Sequence, residues 1–304
     1  MQNIAILGSS GFVGQYIVDQ LIESNFNIKL INRAQSKSNQ SSRCSEVAID
    51  LYSQDLYEQL KGCDCVIFNI GIIREFPSKG ISFKKIHQDL AIHAVDMAQK
   101  ANVEKFILMS ANDIDLQRTP YEKTKYIAEQ YLIKSKLDWT IFRPSIIFGN
   151  PHEKMEFCTQ VKRDMVSIPL PLPIFFSGFN FVKAGAFMMS PIHVKNVAEF
   201  FVKSINLKDS KCKIYNLGGT QKYTWAEMLT IISSACRKNK YKIPVPFNFV
   251  KIVCLFFDQF NWFPVTRDQL TMLENGNTCQ SDKYFSQFNI NEIPFDLTSL
   301  KYLS

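Results

Sequence analysis

Three residues in the first half of the chain have the side-chain types that acid–base chemistry on a small molecule requires: Ser110, Tyr121 and Lys125. Tyr121 and Lys125 are four residues apart at the start of a predicted helix, so their side chains share one face. A lysine ammonium beside a phenol stabilises the phenolate and lets it exchange a proton, while a serine hydroxyl orients a substrate oxygen. The spacing Y-x-x-x-K is a weak signal by itself, because most helical pairs of this kind arise by chance.

A glycine-rich loop precedes this trio in the chain. Gly8, Gly11 and Gly14 follow the apolar run at 3–7 and lead into a helical pattern. Gly8 permits a tight turn, Gly11 lets the backbone approach a pyrophosphate, and Gly14 lets the helix pack closely on the strand. The N-terminus of the helix adds N–H groups and partial positive charge. The alternative is that the glycines serve turns only. We expect a dinucleotide to contact the loop and the first helical turn, namely Gly8, Gly11, Phe12, Val13 and Gly14.

The residues after the second and third predicted strands bear on which dinucleotide binds. Arg33 follows the second strand, Lys37 is close in sequence, and no acid stands at the end of that strand. A guanidinium can hold a 2′-phosphate through two hydrogen bonds, whereas a carboxylate would repel it, so NADP(H) is favoured over NAD(H). Asp50 ends the third strand. It could accept a hydrogen bond from the adenine amino group or cap a helix that begins near Tyr52.

The hydrophobic pattern of the first half alternates between short β-rich runs and amphipathic helical segments. Such alternation predicts a doubly wound α/β fold, in which helices cover both faces of a parallel sheet. Ligands bind at the carboxyl edge of such sheets, where Ser110 ends the fifth strand and Gly71 follows the fourth. The predicted strands are 3–7, 28–32, 46–50, 65–70, 104–110 and 138–143, and the predicted helices are 12–24, 83–101 and 121–136.

The character of the chain changes after Pro144. Residues 167–179 are rich in proline and phenylalanine, and shorter helices are predicted beyond them, at about 194–207, 224–238, 247–260 and 266–274. We therefore expect a dinucleotide-binding domain over 1–150 and a smaller C-terminal α/β lobe over 151–304. The lobe is expected to be interleaved with the sheet, to which segments near 186–220 return.

Composition and charge exclude several classes of protein. The net charge is +7, but the basic residues are scattered, so no nucleic acid partner is expected. Eight cysteines without a C-x-x-C pair and four histidines without ligand spacing predict no metal site, and dispersed thiols are typical of a reducing, intracellular compartment. The first strand begins within three residues of Met1, which argues against a leader peptide. No uncharged apolar run reaches the length of about 18 residues that a membrane-spanning helix needs.

Together with the glycine loop and Ser110, the Y-x-x-x-K pair resembles the extended short-chain dehydrogenase/reductase superfamily, whose fold is a Rossmann domain with a small C-terminal lobe. Four further segments resemble one group within it, the nucleotide-binding accessory subunit of respiratory complex I and its bacterial relatives. The segments follow in family order: WTIFRPSIIFG at 139–149, SPIHVKNVAEFF at 190–201, YNLGGTQKYTWAEML at 215–229 and PVTRDQLTMLENGN at 264–277.

The resemblance implies a tightly held NADPH in a structural or assembly component that associates with complex I subunits. It also implies that Pro144, in the turn after the sixth strand, meets the nicotinamide end. There are two departures from the family pattern: His87 stands where many active members have Asn, and Asn196 where a relative often has Asp. The intact Tyr121–Lys125 pair keeps open the alternative of an active NADP-dependent oxidoreductase or epimerase that uses Ser110, Tyr121 and Lys125.

The stretch at 243–263 is rich in phenylalanine and interrupted by Lys251 and Asp258. It is too charged to span a bilayer, but it could bury an aromatic face against another protein or lie at a membrane surface. Alternatively, it is the apolar side of a helix packed on its own lobe. We expect a cytoplasmic protein with peripheral contact at the inner face of a bacterial inner membrane, rather than one on the mitochondrial matrix side.

Overall fold

A computed structural model describes residues 2–34, 42–258 and 265–304. The chain divides into two compact units, each composed of three segments. Unit 1 consists of Met1–Pro144, Val194–Leu217 and Lys283–Ile290. Unit 2 consists of Ser145–His193, Gly218–Asp282 and Asn291–Ser304.

Within its described residues, unit 1 contains a parallel sheet of seven strands. The order across the sheet is β3-β2-β1-β4-β5-β6-β11, and every neighbouring pair is parallel. The chain runs outward from β1 in both directions, so the carboxyl ends of β1 and β4 flank a topological switch point, where such sheets bind ligands. The strands are β1 Asn3–Leu7, β2 Asn27–Asn32, β3 Cys44–Ala48, β4 Cys65–Phe68, β5 Lys105–Met109, β6 Asp138–Pro144 and β11 Lys213–Leu217.

Helices cover both faces of this sheet. They are α1 Phe12–Glu23, α2 Asp55–Leu60, a π-helix Lys84–Asp89, α3 Leu90–Lys100, α4 Pro120–Ile133 and α6 Val194–Asn206, with α10 Asp282–Gln287 at the boundary of the unit. The alternation of side chains along β1 shows the layering: Ala5 and Leu7 belong to a core shared with α3 and α4. Helices α1 and α6 pack against each other elsewhere in the unit, and Phe142 of β6 packs on Phe201 of α6, with ring centroids 4.7 Å apart.

The doubly wound α/β class predicted from the sequence is confirmed. All six predicted strands are present, with ends displaced by two residues at most. The segment predicted as a helix over 83–101 begins as the π-helix before it becomes α3. Helix α2 and strand β11 were not predicted individually. β11 pairs with β6, in register from Lys213 against Thr140, and a strand so far along the chain gives no local indication of that partner.

Unit 2 contains short pairs of strands around an aromatic core. Trp225 is buried, its indole N–H donates to the Pro173 carbonyl at 3.0 Å, and its ring packs on Phe175 and Phe187. Strands β8 and β13 form a parallel pair. The elements of this unit are β7 Ile147–Phe148, α5 Phe157–Val161, β8 Leu172–Phe176, β9 Met188–Met189, β10 Ile192–His193, β12 Tyr223–Thr224, α7 Trp225–Ala235, β13 Lys242–Pro246, α8 Phe247–Phe257 and α9 Arg267–Glu274.

None of the helices in the described residues is both long enough and apolar enough to cross a membrane. In the same residues, no group of three or more His, Cys, Asp or Glu side chains is arranged to hold a metal ion.

Candidate functional site

The predicted site residues of unit 1 follow the carboxyl ends of consecutive sheet strands. Gly8 follows β1, Arg33 follows β2, Gly71 comes after β4 and Ser110 follows β5. Because all the strands are parallel, these ends share one edge of the sheet. Asp50, after β3, and Pro144, the last residue of β6, lie at the same edge. The topology thus brings the predicted positions to one edge.

The glycine loop has different requirements at its three glycines. Gly8 has a φ of +95°, and a Cβ atom there would meet the main chain of Asn69 at 2.8 Å. A Cβ on Gly14 would stand 2.1 Å from the Gly8 carbonyl oxygen, so only glycine fits. Gly11 has an ordinary φ of −77°, and a Cβ there would meet only the Gly8 carbonyl, at 3.6 Å. The protein alone therefore requires glycine at 8 and 14 but has room for a Cβ atom at Gly11.

Helix α1 begins directly after Gly11 with a first turn suited to an anion. Its N-cap residue is Gly11, no side chain caps the first N–H groups, and the first turn carries no acidic residue. Phe12 and Val13 are partly exposed there. Unpaired N–H groups and the helix dipole both favour negative charge at this position. Together with the room for a Cβ atom at Gly11, the loop fits a pyrophosphate.

The end of β2 is connected to both of its neighbours by hydrogen bonds. Asn32 is buried, accepts from the Ser9 hydroxyl at 2.9 Å and donates to the Glu46 carboxylate at 2.9 Å. Arg33, the next residue, is exposed. Lys37 lies outside the described residues. The guanidinium expected from the sequence is thus available at the surface next to the glycine loop.

Glu46 is a residue that the sequence reasoning missed. No acid ends β2, but Glu46 of β3 pairs with Leu30 in register and reaches Asn32. A carboxylate near a ribose favours a 2′-hydroxyl and disfavours a 2′-phosphate. This edge therefore carries Arg33, which favours a 2′-phosphate, and Glu46, which favours a 2′-hydroxyl. Only the pairing of β2 with β3, which joins residues 16 positions apart, could have indicated it.

Asp50 is exposed and forms a turn. Its carboxylate accepts from the Tyr52 N–H at 3.0 Å, whereas α2 begins only at Asp55. Asp50 therefore does not cap a helix that begins near Tyr52. Burial raises the pKa of Tyr52, the charges of Asp89 and Asp50 raise it further, and Arg33 lowers it, so Arg33 and Asp50 act on the same phenol.

Tyr121 and Lys125 share one face of α4, as the spacing predicted. The Lys125 Nζ lies 5.7 Å from the centroid of the Tyr121 ring. Helix α4 begins sharply because Thr119 and Glu122 form a reciprocal capping box and Pro120 stands at the first helical position. These caps fix where the helix starts and hence where Tyr121 is placed.

The electrostatics of this pair differ from the expected activation. Burial raises the pKa of Tyr121, and the Glu122 charge raises it further, so the phenol stays protonated at neutral pH. Burial lowers the pKa of Lys125 to about 8, although the Glu129 charge opposes that shift. Desolvation of the phenol therefore disfavours the phenolate that proton exchange would require.

Ser110 is buried, and its hydroxyl has no hydrogen-bond partner among the described residues. Its main-chain N–H donates to the Phe142 carbonyl at 2.7 Å, which fixes the backbone at the end of β5. The ammonium of Lys125 donates to the carbonyl of Met109, the preceding residue, at 3.3 Å. A buried hydroxyl left unpaired by the protein is suited to a bound molecule.

Gly71 lies beside two nitrogen atoms. A Cβ atom on it would stand 3.7 Å from both the His87 Nε2 and the Lys125 Nζ, an ordinary contact. His87, from the π-helix, packs its ring on Phe83 and against the edge of Tyr121, with centroids 5.3 and 5.1 Å apart. The structure thus places His87 among the predicted residues Gly71, Tyr121 and Lys125.

Pro144 is the last of the predicted site residues along this edge and lies at the end of β6. Its carbonyl accepts from the Asn112 N–H at 3.0 Å. The preceding residue, Arg143, is buried and holds Glu129 of α4 with hydrogen bonds of 2.6 to 3.2 Å, and it also pairs with Asp115. Arg143 thereby connects the end of β6 to helix α4.

Comparisons with known proteins show the family of this chain and the proteins to which it is similar. A family model described as NAD(P)H-binding matches residues 8–167. The chain is 22% identical over 257 residues to the mitochondrial NADH dehydrogenase [ubiquinone] 1 alpha subcomplex subunit 9 of Dictyostelium discoideum, over 82% of this chain and 68% of that one. It is also 22% identical over 279 residues to the photosystem II assembly factor Ycf39 of Trieres chinensis, over 90% of this chain and 81% of that protein.

Solved structures show the same fold. UDP-glucuronic acid 4-epimerase from Bacillus cereus, in complex with UDP-glucuronic acid and NAD, matches with a TM-score of 0.73 at 15% identity, over 99% of each chain. At that identity the likeness concerns the fold alone. Since the family model covers more than half of the 304 residues, the chain belongs to the NAD(P)H-binding family of proteins.

Proposed function

We propose that the chain binds its dinucleotide along the carboxyl edge of the sheet in unit 1. The pyrophosphate would be held by the loop from Gly8 to Gly14 and the first turn of α1. Two glycines that the protein does not need for itself support this, Gly11 and Gly71, where a Cβ atom would make only ordinary contacts. The remaining predicted contacts are Asp50 at the adenine end and Tyr121, Lys125 and Pro144 at the nicotinamide end.

We propose NADP(H) as the preferred dinucleotide. The support is the exposed guanidinium of Arg33 directly after β2, which can pair with a 2′-phosphate. Glu46 opposes this preference, and its hydrogen bond to Asn32 holds the carboxylate near the strand end. The choice therefore depends on the balance between Arg33 and Glu46.

We propose that the protein is an accessory or assembly subunit associated with respiratory NADH:quinone oxidoreductase, in which the nucleotide has a structural role. The observation that carries the proposal is the similarity, over 82% of this chain, to the NADH dehydrogenase [ubiquinone] 1 alpha subcomplex subunit 9 of Dictyostelium discoideum. The raised pKa of Tyr121 supports it, because a phenol with a raised pKa is a weaker acid and gives up its proton less readily. The expected location is the cytoplasmic face of a membrane that contains this complex.

The stretch at 243–263 is the proposed contact with that membrane or with a partner subunit. Of this stretch, residues 259–263 lie outside the described residues. Helix α8 buries Phe247 and Cys254 in its own unit, which agrees in part with packing on the lobe. Phe249 and Ile252 are each 60% exposed. An exposed apolar face of this kind is typical of an interaction surface.

The second candidate function is an NADP-dependent oxidoreductase or epimerase. The observation that favours it is the unpaired, buried hydroxyl of Ser110 at the edge that Lys125 and Tyr121 also line. NADP(H), when bound, supplies or accepts a hydride. In that case Ser110 would orient a substrate oxygen, and Tyr121 would exchange the proton while Lys125 stabilises its phenolate.

The experiment that separates the two functions begins with the nucleotide carried by the purified protein. Released nucleotide would be identified chromatographically, and the loaded protein would then be offered carbonyl compounds while nicotinamide absorbance is followed. Stoichiometric NADP(H) that stays unchanged, together with co-sedimentation with solubilised complex I, is the expected result. Turnover of the bound nucleotide would favour the enzyme, and a protein without dinucleotide would refute both.

A further inference from the structure

The hydrogen bond between Ile72 and His87 fixes where the proton of the imidazole resides. The main-chain N–H of Ile72 donates to the Nε2 of His87 at 3.0 Å. A main-chain N–H can only donate, so Nε2 must carry a lone pair. In a neutral imidazole the single proton is then on Nδ1.

The surroundings of His87 keep the ring neutral. The side chain is 2% exposed and packs against the rings of Phe83 and Tyr121, which also contact each other. Burial and the charge of Lys125 lower its pKa to about 2, while the bond from Ile72 opposes the shift. His87 is therefore a fixed donor through Nδ1 across the physiological pH range, rather than an acid–base group.

That donor has no acceptor among the described residues. The Nδ1 of His87 is buried and unpaired. An unpaired buried donor is unfavourable, and native proteins satisfy nearly all such groups with protein, water or ligand. The Ser110 hydroxyl at this edge is also buried and unpaired among the described residues. Ser110 follows Met109, whose carbonyl accepts from the Lys125 ammonium. His87 and Ser110 therefore each present an unpaired group near Lys125.

We propose that His87 is a ligand-binding residue, whose Nδ1–H donates a hydrogen bond to a hydroxyl or carbonyl oxygen on the nicotinamide–ribose half of the dinucleotide. The neighbours of His87 carry the assignment to this half of the molecule: its ring packs against Tyr121, and a Cβ atom on Gly71 would stand 3.7 Å from both its Nε2 and the Lys125 Nζ. The inference rests on the proposed dinucleotide site.

Two substitutions separate the donor of His87 from its acceptor. In His87→Gln the side-chain carbonyl can replace Nε2 and accept from Ile72, but the donor at Nδ1 is lost. In His87→Asn the amide nitrogen can replace the Nδ1 donor, but no atom reaches Ile72. If His87 binds the ligand, NADPH affinity should fall only in the variant that lacks the donor. If His87 has a purely structural role, both NADPH affinity and thermal stability should fall only in the variant that lacks the bond from Ile72.

The measurement is the dissociation constant for NADPH, with adenosine 2′,5′-bisphosphate as a probe that lacks the nicotinamide half. His87→Gln should weaken NADPH binding by about threefold to tenfold, the usual effect of one lost hydrogen bond. It should leave binding of adenosine 2′,5′-bisphosphate unchanged. His87→Asn should bind NADPH like the parent protein and unfold at a lower temperature, because the Ile72 N–H is left unpaired.

A spectroscopic readout on the parent protein avoids any concern about folding of the variants. Imidazole ¹H–¹⁵N spectra should show His87 as the Nδ1–H tautomer from pH 5 to 8, assigned by the loss of its signal in His87→Gln. The Nδ1–H signal should shift when NADPH is added and stay in place when adenosine 2′,5′-bisphosphate is added. Equal NADPH affinity in His87→Gln, or an Nδ1–H signal unmoved by NADPH, would overturn the inference while leaving the proposed site intact. A parent protein that binds no dinucleotide would overturn both.

Discussion

The carbonyl oxygen of Gly8 occupies the place where a side chain at Gly14 would begin, since a Cβ atom on Gly14 would lie 2.1 Å from it. The backbone that follows β1 and the first turns of α1 are therefore in van der Waals contact. Gly11, three residues earlier in the same motif, has no comparable neighbour. One motif thus combines glycines that the fold requires with one that it does not.

The first prediction compares Gly14→Ala with Gly11→Val. Gly14→Ala should lower the free energy of unfolding by at least about 2 kcal/mol, because the main chain of Gly8 and Ser9 must move. Gly11→Val should lose its nucleotide, yet when both proteins are compared free of nucleotide it should cost only about 1 kcal/mol, as expected of a poor N-cap residue. Urea unfolding and nucleotide content are the measurements. If Gly11→Val still co-purifies with full nucleotide, the loop does not bind the pyrophosphate.

The second prediction concerns the choice between NADPH and NADH. Arg33→Asp should weaken NADPH binding by about 2–4 kcal/mol, because a carboxylate would replace the proposed partner of the 2′-phosphate. Glu46→Gln keeps the oxygen that accepts from Asn32 and removes the charge, so it should shift the ratio of affinities toward NADPH. Calorimetric titration with both nucleotides tests this. Equal affinities for NADH and NADPH in the parent protein would contradict the assignment of Arg33.

The third prediction separates nucleotide binding from turnover. Tyr121→Phe should keep nucleotide occupancy and association with solubilised complex I, because phosphate and adenine contacts dominate the affinity. Gly11→Val is the matched variant and should lose both nucleotide occupancy and association. A ligand that binds only the native state stabilises it by about 2.7 kcal/mol at a hundredfold excess over its dissociation constant, and association is expected to need that stabilisation. The measurement is co-sedimentation of tagged variants together with nucleotide content. Loss of cellular function in Tyr121→Phe, with binding and association intact, would favour the enzyme.

The fourth prediction follows from the lowered pKa of His87, which is about 2 in the folded protein against 6.5 for an ordinary histidine. The unfolded chain binds this proton more readily, so the contribution of His87 to stability is present above pH 6.5 and is lost as the pH falls below it. The parent protein should lose about 1.4 kcal/mol per pH unit relative to His87→Gln in this range. Urea unfolding at pH 7, 6 and 5 measures it. Parallel pH profiles of the two proteins would show that His87 is not buried as a neutral ring.

The local sequence determined most elements of unit 1 and most positions of its candidate site. Strands buried on both faces need near-continuous apolar runs, and helices need a 3.6-residue period, so both signals are local. The positions of Gly8, Ser110 and Gly71 at the edge followed from the same patterns, because strand ends in a parallel sheet share one edge. The four-residue spacing likewise placed Tyr121 and Lys125 on one face of α4.

Only the tertiary structure decided the charges and partners around those residues. Glu46 reaches the end of β2 through pairing with a neighbouring strand, and the imidazole of His87 enters the site from a π-helix. The protonation of Tyr121 depends on burial and on the charge of Glu122. Register, burial and desolvation arise from contacts between residues far apart in the chain, and no spacing within one segment encodes them.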